Sequence, residues 1–291
     1  MYPSYFETHR DAFMHFIKNA LEEDIQSGDE TSLSCIDEDA KNSAQLIVKE
    51  DCILAGVELA QAIFEYYDPS LNFTMHISDG TAVKKGAIAF TVAGSSRALL
   101  STERVVLNCM QRMSGIASLT HAYTQMIAHT SCTLLDTRKT TPNFRYPEKW
   151  AVAIGGGKNH RIGLFDALMI KDNHVDYCGG MTRALERTTT YLRQQKKDLE
   201  VIVEVRNEKE LLEALPFACV SRILLDNHQP ETLQKAVQLI AGRKPTEASG
   251  NITAANLVAM AETGVDYISL GAFTHSAKNI DLSLKATISN T

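Results

Sequence analysis

The sequence predicts a two-part chain, an N-terminal α+β domain followed by repeated strand–helix units that build a parallel sheet or barrel. Three observations carry this reading. The second half alternates short apolar, β-rich runs with helical periodicity. Its strand ends near Glu204, Asp226, Ala248 and Leu270 fall 22 residues apart each time, without any self-similar motif. Successive β/α units produce that spacing. The first 128 residues, by contrast, mix short strands, turns and helices and carry little reactive chemistry.

In chain order, Asp11–Asp24 reads as an amphipathic helix with Phe13, Phe16, Ile17, Ala20 and Leu21 on one face. The acidic, glycine-containing stretch from Glu22 to Ser32 reads as a helix stop and loop. Ala44–Val48 and Cys52–Ala55 are expected as short strands and Gly56–Tyr67 as a helix. Asn72–Ile77 sets Phe73, Met75 and Ile77 against polar neighbours, the alternation of a half-buried strand. Asp79-Gly80 and Lys85-Gly86 punctuate turns, and Ile88–Val92 forms another strand. Such turns also suit a lipoyl-like hammerhead, but Lys84 and Lys85 lack a convincing attachment motif. Ser101–His129 reads as a long helix whose stripe, Val105, Val106, Cys109, Met113, Ile116 and Ala117, belongs to the core. Arg104 and Arg112 on that helix read, by sequence alone, as surface or ion-paired arginines.

In the second half the expected strands are Ser131–Leu135, Leu168–Lys171, Val201–Val205, Arg222–Asp226, Pro245–Ala248 and Tyr267–Leu270. Helices fit between them at Met181–Gln195, Glu208–Leu215, Glu231–Ala241 and Ala254–Glu262. Pro230 suits a first helical turn, Thr253 a cap, and Gly264 a stop.

A chain of 291 residues with net charge −6, 44% hydrophobic and 22% charged, buries a full core and has ordinary globular composition. No secretory leader is expected in Met1–Arg10, and no apolar run approaches the ~18 residues of a membrane span. The six cysteines form no CxxC pair, which argues against zinc or a disulfide framework and fits reduced thiols in a cytoplasm.

Against this acidic background, residues 136–174 hold seven Lys or Arg and four acids. A local excess of cations suits a small polyanion, not a nucleic-acid face. Gly155-Gly156-Gly157 allows close approach of backbone to a ligand. The Gly157-Lys158-Asn159 sequence is not a P-loop, since Asn159 stands where Ser or Thr is required. Lys171 closes the apolar run Ala167–Ile170, a placement poorly explained by solubility. Asp136, Arg138, Lys139, Glu204, Asp226, Ser249 and Gly271 likewise stand at strand ends, where parallel barrels build their sites.

The motifs DTRKTTPNFR, GGGKNHRIGLFDALMIKDNH, EASGNIT and SLGAFTHS resemble the quinolinate phosphoribosyltransferase family, also called nicotinate-nucleotide pyrophosphorylase (carboxylating). The resemblance covers nearly the whole chain. It implies an open, TIM-like β/α barrel of seven strands, of which six are identifiable here. It implies an N-terminal domain over 1–128, a barrel over 129–275, and a C-terminal segment over 276–291 packing back on the N-terminal domain. The implied reaction is that of a decarboxylating pentosyltransferase. It converts quinolinate and phosphoribosyl pyrophosphate to nicotinate mononucleotide, pyrophosphate and CO₂, in de novo NAD biosynthesis.

By resemblance, Arg138, His160, Arg161 and Lys171 bind quinolinate, with Arg104 contributing from the neighbouring subunit of a homodimer. Arginine's planar fork suits carboxylates. Lys139 is the expected cation for the pyrophosphate, and Ser249-Gly250-Asn251 with Gly271-Ala272 the cradle for the 5-phosphate. Glu204 and Asp226 are expected to hold the ribose hydroxyls, Mg²⁺, or both. Lys139, Lys171, Glu204 and Asp226 form the expected catalytic set, with no organic cofactor. The expected assembly is a homodimer with a shared site, or a higher oligomer built from it, with no nucleic-acid or membrane partner.

The chain departs from the family pattern at Asn143-Phe144, where Gly-Leu is usual. It departs again at Ala153-Ile154, where Arg-Cys is common, and at Ile202, where Glu is frequent. Three rival readings are a related pyrophosphorylase acting on another acid, a class I aldolase with Lys171 as Schiff base, and a non-catalytic anion-binding barrel.

Overall fold

The structure is a computed structural model and describes residues 4–287. Residues 288–291, the end of the expected C-terminal segment, and residues 1–3 lie outside the described residues. Contacts divide the described chain into two units. The first comprises residues 4–121, 140–156 and 273–287, and the second 122–139 and 157–272.

In the first unit the amphipathic helix runs over Arg10–Ile25 and buries Phe13, Ile17 and Leu21. Phe13 meets Trp150 at 5.3 Å between ring centroids. Trp150 lies on a helix, Arg145–Ile154, which the sequence reading omitted. The stretch read as loop through Ser32 is a helix from Glu30, Glu30–Cys35, because the Asp29 side chain accepts the Ser32 N–H and caps it. The strands are β1 (Lys41–Val48), β2 (Cys52–Ile53), β3 (Asn72–Met75), β4 (Ala82–Val83) and β5 (Ile88–Ser95). Met75, expected on a half-buried face, is 40% exposed. The helix Val57–Tyr67 is capped by Asp79, whose carboxylate accepts from the Val57 N–H at 2.8 Å and the Glu58 N–H at 3.3 Å.

The long helix spans Ser96–Met126, and its expected stripe is buried throughout. Gly115 on this helix is required, since a Cβ there would meet the Lys278 carbonyl. Arg112 is ion-paired, its Nε 3.1 Å from the buried Glu148 Oε1, and it donates to the Ala277 carbonyl at 2.8 Å. Among the described residues no helix is long and apolar enough to cross a membrane.

The second unit is a six-stranded parallel sheet. Its strands are β6 (Thr133–Leu135), β7 (Ala167–Ile170), β8 (Glu200–Val205), β9 (Arg222–Asp226), β10 (Thr246–Ser249) and β11 (Tyr267–Ser269). They lie in the order β6-β11-β10-β9-β8-β7. The helices Met181–Gln195, Glu208–Ala214 and Pro230–Ile240 fall between strands as read, the last with Pro at its start. The helix expected over Ala254–Glu262 shortens to Leu257–Ala261. Thr253 does not cap it; instead the Thr253 N–H donates to the Asn256 side chain at 2.8 Å.

Register sorts the sheet into two chemistries. Glu204 pairs with Leu224, Leu224 with Glu247, and Glu247 with Tyr267; Asp226 pairs with Ser249. Because side chains alternate along strands, these residues share one face. The other face carries Val201, Val203, Val205, Ile223, Leu225, Ala248 and Ile268, all buried. The chain ends its described part in β12 (Leu282–Ala286), which pairs antiparallel with β1 and completes the first unit's sheet, β12-β1-β5-β3.

Candidate active site

Two of the motifs meet through a buried carboxylate. Asp136, directly after β6, is fully buried. It accepts from the His160 backbone N–H at 2.8 Å and from Asn159 Nδ2 at 2.6 Å. The Lys158 N–H donates to the Leu134 carbonyl, and the Asp136 N–H to the Lys158 carbonyl. The segment carrying Arg138 and Lys139 is thereby fastened to the segment carrying His160 and Arg161. The sequence reading gave Asp136 no ligand role.

Arg138 and Lys139 are exposed, and His160 is buried. The Arg161 N–H donates to His160 Nδ1 at 2.8 Å, and the Arg161 guanidinium donates to the Ala167 carbonyl at 3.2 Å. Burial, then the neighbouring Arg138 charge, pushes the Arg161 guanidinium below its usual range, against the pull of Asp166. Two guanidinium groups near enough to feel one another's charge suit anionic oxygen.

Lys171 stands just past β7, at the start of a helix over Asp172–Cys178 that the sequence reading omitted. Its Nζ lies 3.4 Å from Glu204 Oε2, with the lysine side chain 50% exposed and the glutamate 13%. Burial raises the Glu204 carboxyl above its usual value; the charges of Asp226 and Asp172 add to this and Lys171 opposes it. Glu204 and Asp226 therefore form an acidic pair at the ends of neighbouring strands. Among the described residues no group of three or more His, Cys, Asp or Glu is arranged to enclose a metal ion. Two adjacent carboxylates still suit a hard cation that takes its other ligands from water and phosphate.

Beside them, the Ser249 hydroxyl donates to Asp226, and the Asn227 N–H donates to the Ser249 carbonyl at 2.8 Å. Asn251 Nδ2 donates to Asn227 Oδ1 at 2.9 Å. Gly250 has φ +85°, and a Cβ there would collide with both the side chain and the backbone N of Asn227. Only glycine fits this turn. Gly271 and Ala272 follow β11, anchored by the Leu270 N–H donating to the Leu135 carbonyl at 2.9 Å.

Every residue given a substrate, catalytic or metal role from the sequence thus belongs to the second unit except Arg104, which is exposed on the long helix of the first. The sequence reading did not include Glu247. It is fully buried on β10, with Oε2 3.3 Å from His160 Nε2 and 2.9 Å from Arg222 Nη1. Its signal was its parity with Ser249, two residues further along the same strand face.

Residues 29–114 match the family description "Quinolinate phosphoribosyl transferase, N-terminal domain" and residues 116–285 the corresponding C-terminal domain. The chain belongs to the quinolinate phosphoribosyltransferase family. A relative from Oryza sativa subsp. japonica, a chloroplastic nicotinate-nucleotide pyrophosphorylase [carboxylating], is 47% identical over 284 residues, covering 92% of this chain and 76% of its own. A Bacillus subtilis relative, a probable nicotinate-nucleotide pyrophosphorylase [carboxylating], is 41% identical over 269 residues, covering 92% of this chain and 91% of its own. The solved structure of the nicotinate-nucleotide pyrophosphorylase from Francisella tularensis superposes with a TM-score of 0.87 at 39% identity, covering 95% of this chain and 96% of that one. Membership of the quinolinate phosphoribosyltransferase family therefore extends across both units.

Proposed function

We propose that this chain transfers the phosphoribosyl group of phosphoribosyl pyrophosphate to quinolinate and decarboxylates the product. Nicotinate mononucleotide, pyrophosphate and CO₂ result, in de novo NAD biosynthesis. The observation that carries this reading is that a member of the family sets a Lys171–Glu204 pair, with Asp226 beside it, at neighbouring strand ends, while Arg161 stands near enough to Arg138 to feel its charge. That set offers cations for a dicarboxylate and carboxylates for a sugar phosphate.

In this reading Arg138, Arg161 and Lys171 hold the two carboxylates of quinolinate, with His160 behind Arg161. Lys139 meets the pyrophosphate. Ser249, Gly250, Asn251, Gly271 and Ala272 cradle the 5-phosphate, and Glu204 and Asp226 take the ribose hydroxyls. Glu204 and Asp226 would also hold Mg²⁺, which when bound supplies neutralising charge to the pyrophosphate. The pyridine nitrogen bonds to the anomeric carbon as the bond to pyrophosphate breaks, through an oxocarbenium-like state. Lys139 stabilises the departing charge. The ring nitrogen is then cationic. The bond to the 2-carboxylate breaks, CO₂ leaves, its electron pair stays on the ring carbon beside that nitrogen, and a proton replaces it.

The reading includes an open, TIM-like β/α barrel for the second unit, supported by six parallel strands of which β7 to β11 lie side by side in chain order. It also includes a cytoplasmic homodimer in which the partner subunit's Arg104 completes each site, supported by the exposure of Arg104 on its helix. The experiment is a comparison of quinolinate with nicotinate, which lacks the 2-carboxylate. A site whose cations are left unpaired should reject nicotinate by roughly 10⁴-fold in kcat/KM. Comparable values for the two acids would refute the reading.

A further inference from the structure

The sheet face that carries the site also carries a charge beneath it that the reaction does not use. Glu247 is fully buried, and a buried carboxylate persists only where cations or donors meet it. Here two groups do. Arg222 Nη1 lies 2.9 Å from Oε2, with its guanidinium 4.3 Å above the Tyr267 ring and its other end 3.6 Å from Glu200. His160 Nε2 lies 3.3 Å from the same oxygen and faces it. Burial would push the Glu247 carboxyl up, but His160 and Arg222 outweigh it and hold the group below the usual range.

The other ring nitrogen shows what this contact selects. The Arg161 N–H donates to His160 Nδ1 at 2.8 Å, so Nδ1 carries no proton. A neutral ring then carries its proton on Nε2, facing the Glu247 carboxylate. Turning the ring over would remove the acceptor from the Arg161 N–H and the donor from Glu247 together. The His160 backbone N–H is meanwhile held by Asp136. With both nitrogens engaged inside the protein, the ring acts on ligand through Arg161. We propose that Glu247, backed by Arg222, is a positioning residue for quinolinate: it sets the His160 ring in the tautomer and orientation that fix the Arg161 backbone beneath the substrate carboxylates. The geometry parallels the carboxylate that orients a ligating histidine at metal sites.

This inference rests on the proposed reading of the site, and its test separates the two. Nitrogen-15 NMR of the wild-type protein, with the His160 signal identified by its loss in His160→Gln, should show a ring protonated at Nε2 with an accepting Nδ1. A ring protonated at Nδ1 overturns the proposal, whatever the activity. Steady-state kinetics then compare wild type with Glu247→Gln, and with Glu247→Gln combined with Arg222→Met so that no buried guanidinium is left unpaired. The KM for quinolinate should rise about ten-fold or more in both variants, while that for phosphoribosyl pyrophosphate stays within about two-fold. An equal rise for both substrates, the mark of a merely structural role, or no rise for either, also overturns it. A wild-type protein that does not turn over quinolinate refutes the functional reading, and the NMR result then still decides the role of Glu247.

Discussion

Replacing Lys171 with alanine separates a site residue from a structural strut. Were the Lys171–Glu204 pair fully buried, deleting one partner would cost on the order of 3–5 kcal/mol of stability. The structure corrects that premise. The lysine side chain is 50% exposed and its Nζ lies 3.4 Å from a glutamate that is 13% exposed. A pair so open to solvent contributes about 0–1 kcal/mol to folding. Glu204 loses its opposing cation in the variant, so its carboxyl moves further up, in the direction burial already drives it. The cost changes once substrate enters and water leaves. A carboxylate bound without its cation then forfeits about 2–4 kcal/mol, roughly 30- to 1000-fold in kcat/KM. The assays are urea unfolding of Lys171→Ala and wild type without ligand, and initial rates over a range of quinolinate concentrations. Unfolding free energies within about 1 kcal/mol, with turnover reduced by that factor, are expected. Near-normal turnover would remove Lys171 from the site, and a stability loss above about 3 kcal/mol would make it a strut.

Two further outcomes are expected. Burial raises the Asp79 carboxyl from 3.8 to about 6, against the opposing donors Val57 and Glu58 N–H. The folded state therefore binds a proton that the unfolded state has released between those values, and the stability from this group, full below the lower value, is lost as pH rises through the upper. The stability advantage of wild type over Asp79→Asn should shrink by about 2–3 kcal/mol between pH 4 and pH 7 in urea unfolding, and a pH-independent difference would contradict this. If Arg104 enters the partner's site, inactive Arg104→Ala and Lys171→Ala homodimers, dissociated and reassembled in equal amounts, form about half mixed dimers with one intact site each, restoring about a quarter of wild-type activity. Confirmed subunit exchange without recovery would assign Arg104 to its own subunit or to no site.

What the sequence revealed and what it concealed follow from the range of the forces involved. The strands of the second unit were legible because apolar β-rich runs and 22-residue spacing are local patterns. β9 coincides with the expected Arg222–Asp226, and the Met181–Gln195 helix with its own periodicity. The helix at Glu30–Cys35 was hidden by an acidic, glycine-bearing composition, although Asp29 and Ser32 stood at capping distance. Thr253 had the chemistry of a cap but the turn is closed by Asn256 instead. The pairing of β12 with β1 joins residues some 240 apart, such as Ala44 with Ala286, and no local signal announces it. Asn143, where the family pattern has glycine, adopts φ +63°, a left-handed conformation that asparagine tolerates better than most residues. Its neighbour Phe144 packs against Phe16 at 5.2 Å, so the departure is absorbed by an aromatic contact. At the site, reactive side chains on strand ends could be read from sequence. Asp136 was legible as a strand-end acid, but neither its burial against Asn159 and His160 nor the part played by Glu247 was, because a carboxylate's partners are set by tertiary structure.

The most direct test follows a single carbon. The purified chain is incubated with quinolinate labelled in its 2-carboxylate, phosphoribosyl pyrophosphate and Mg²⁺, and the products are quantified. The account predicts labelled CO₂, pyrophosphate and nicotinate mononucleotide in equal amounts, with no CO₂ when phosphoribosyl pyrophosphate is withheld. Quinolinate bound without CO₂ release, or a nucleotide that retains the label, would contradict it.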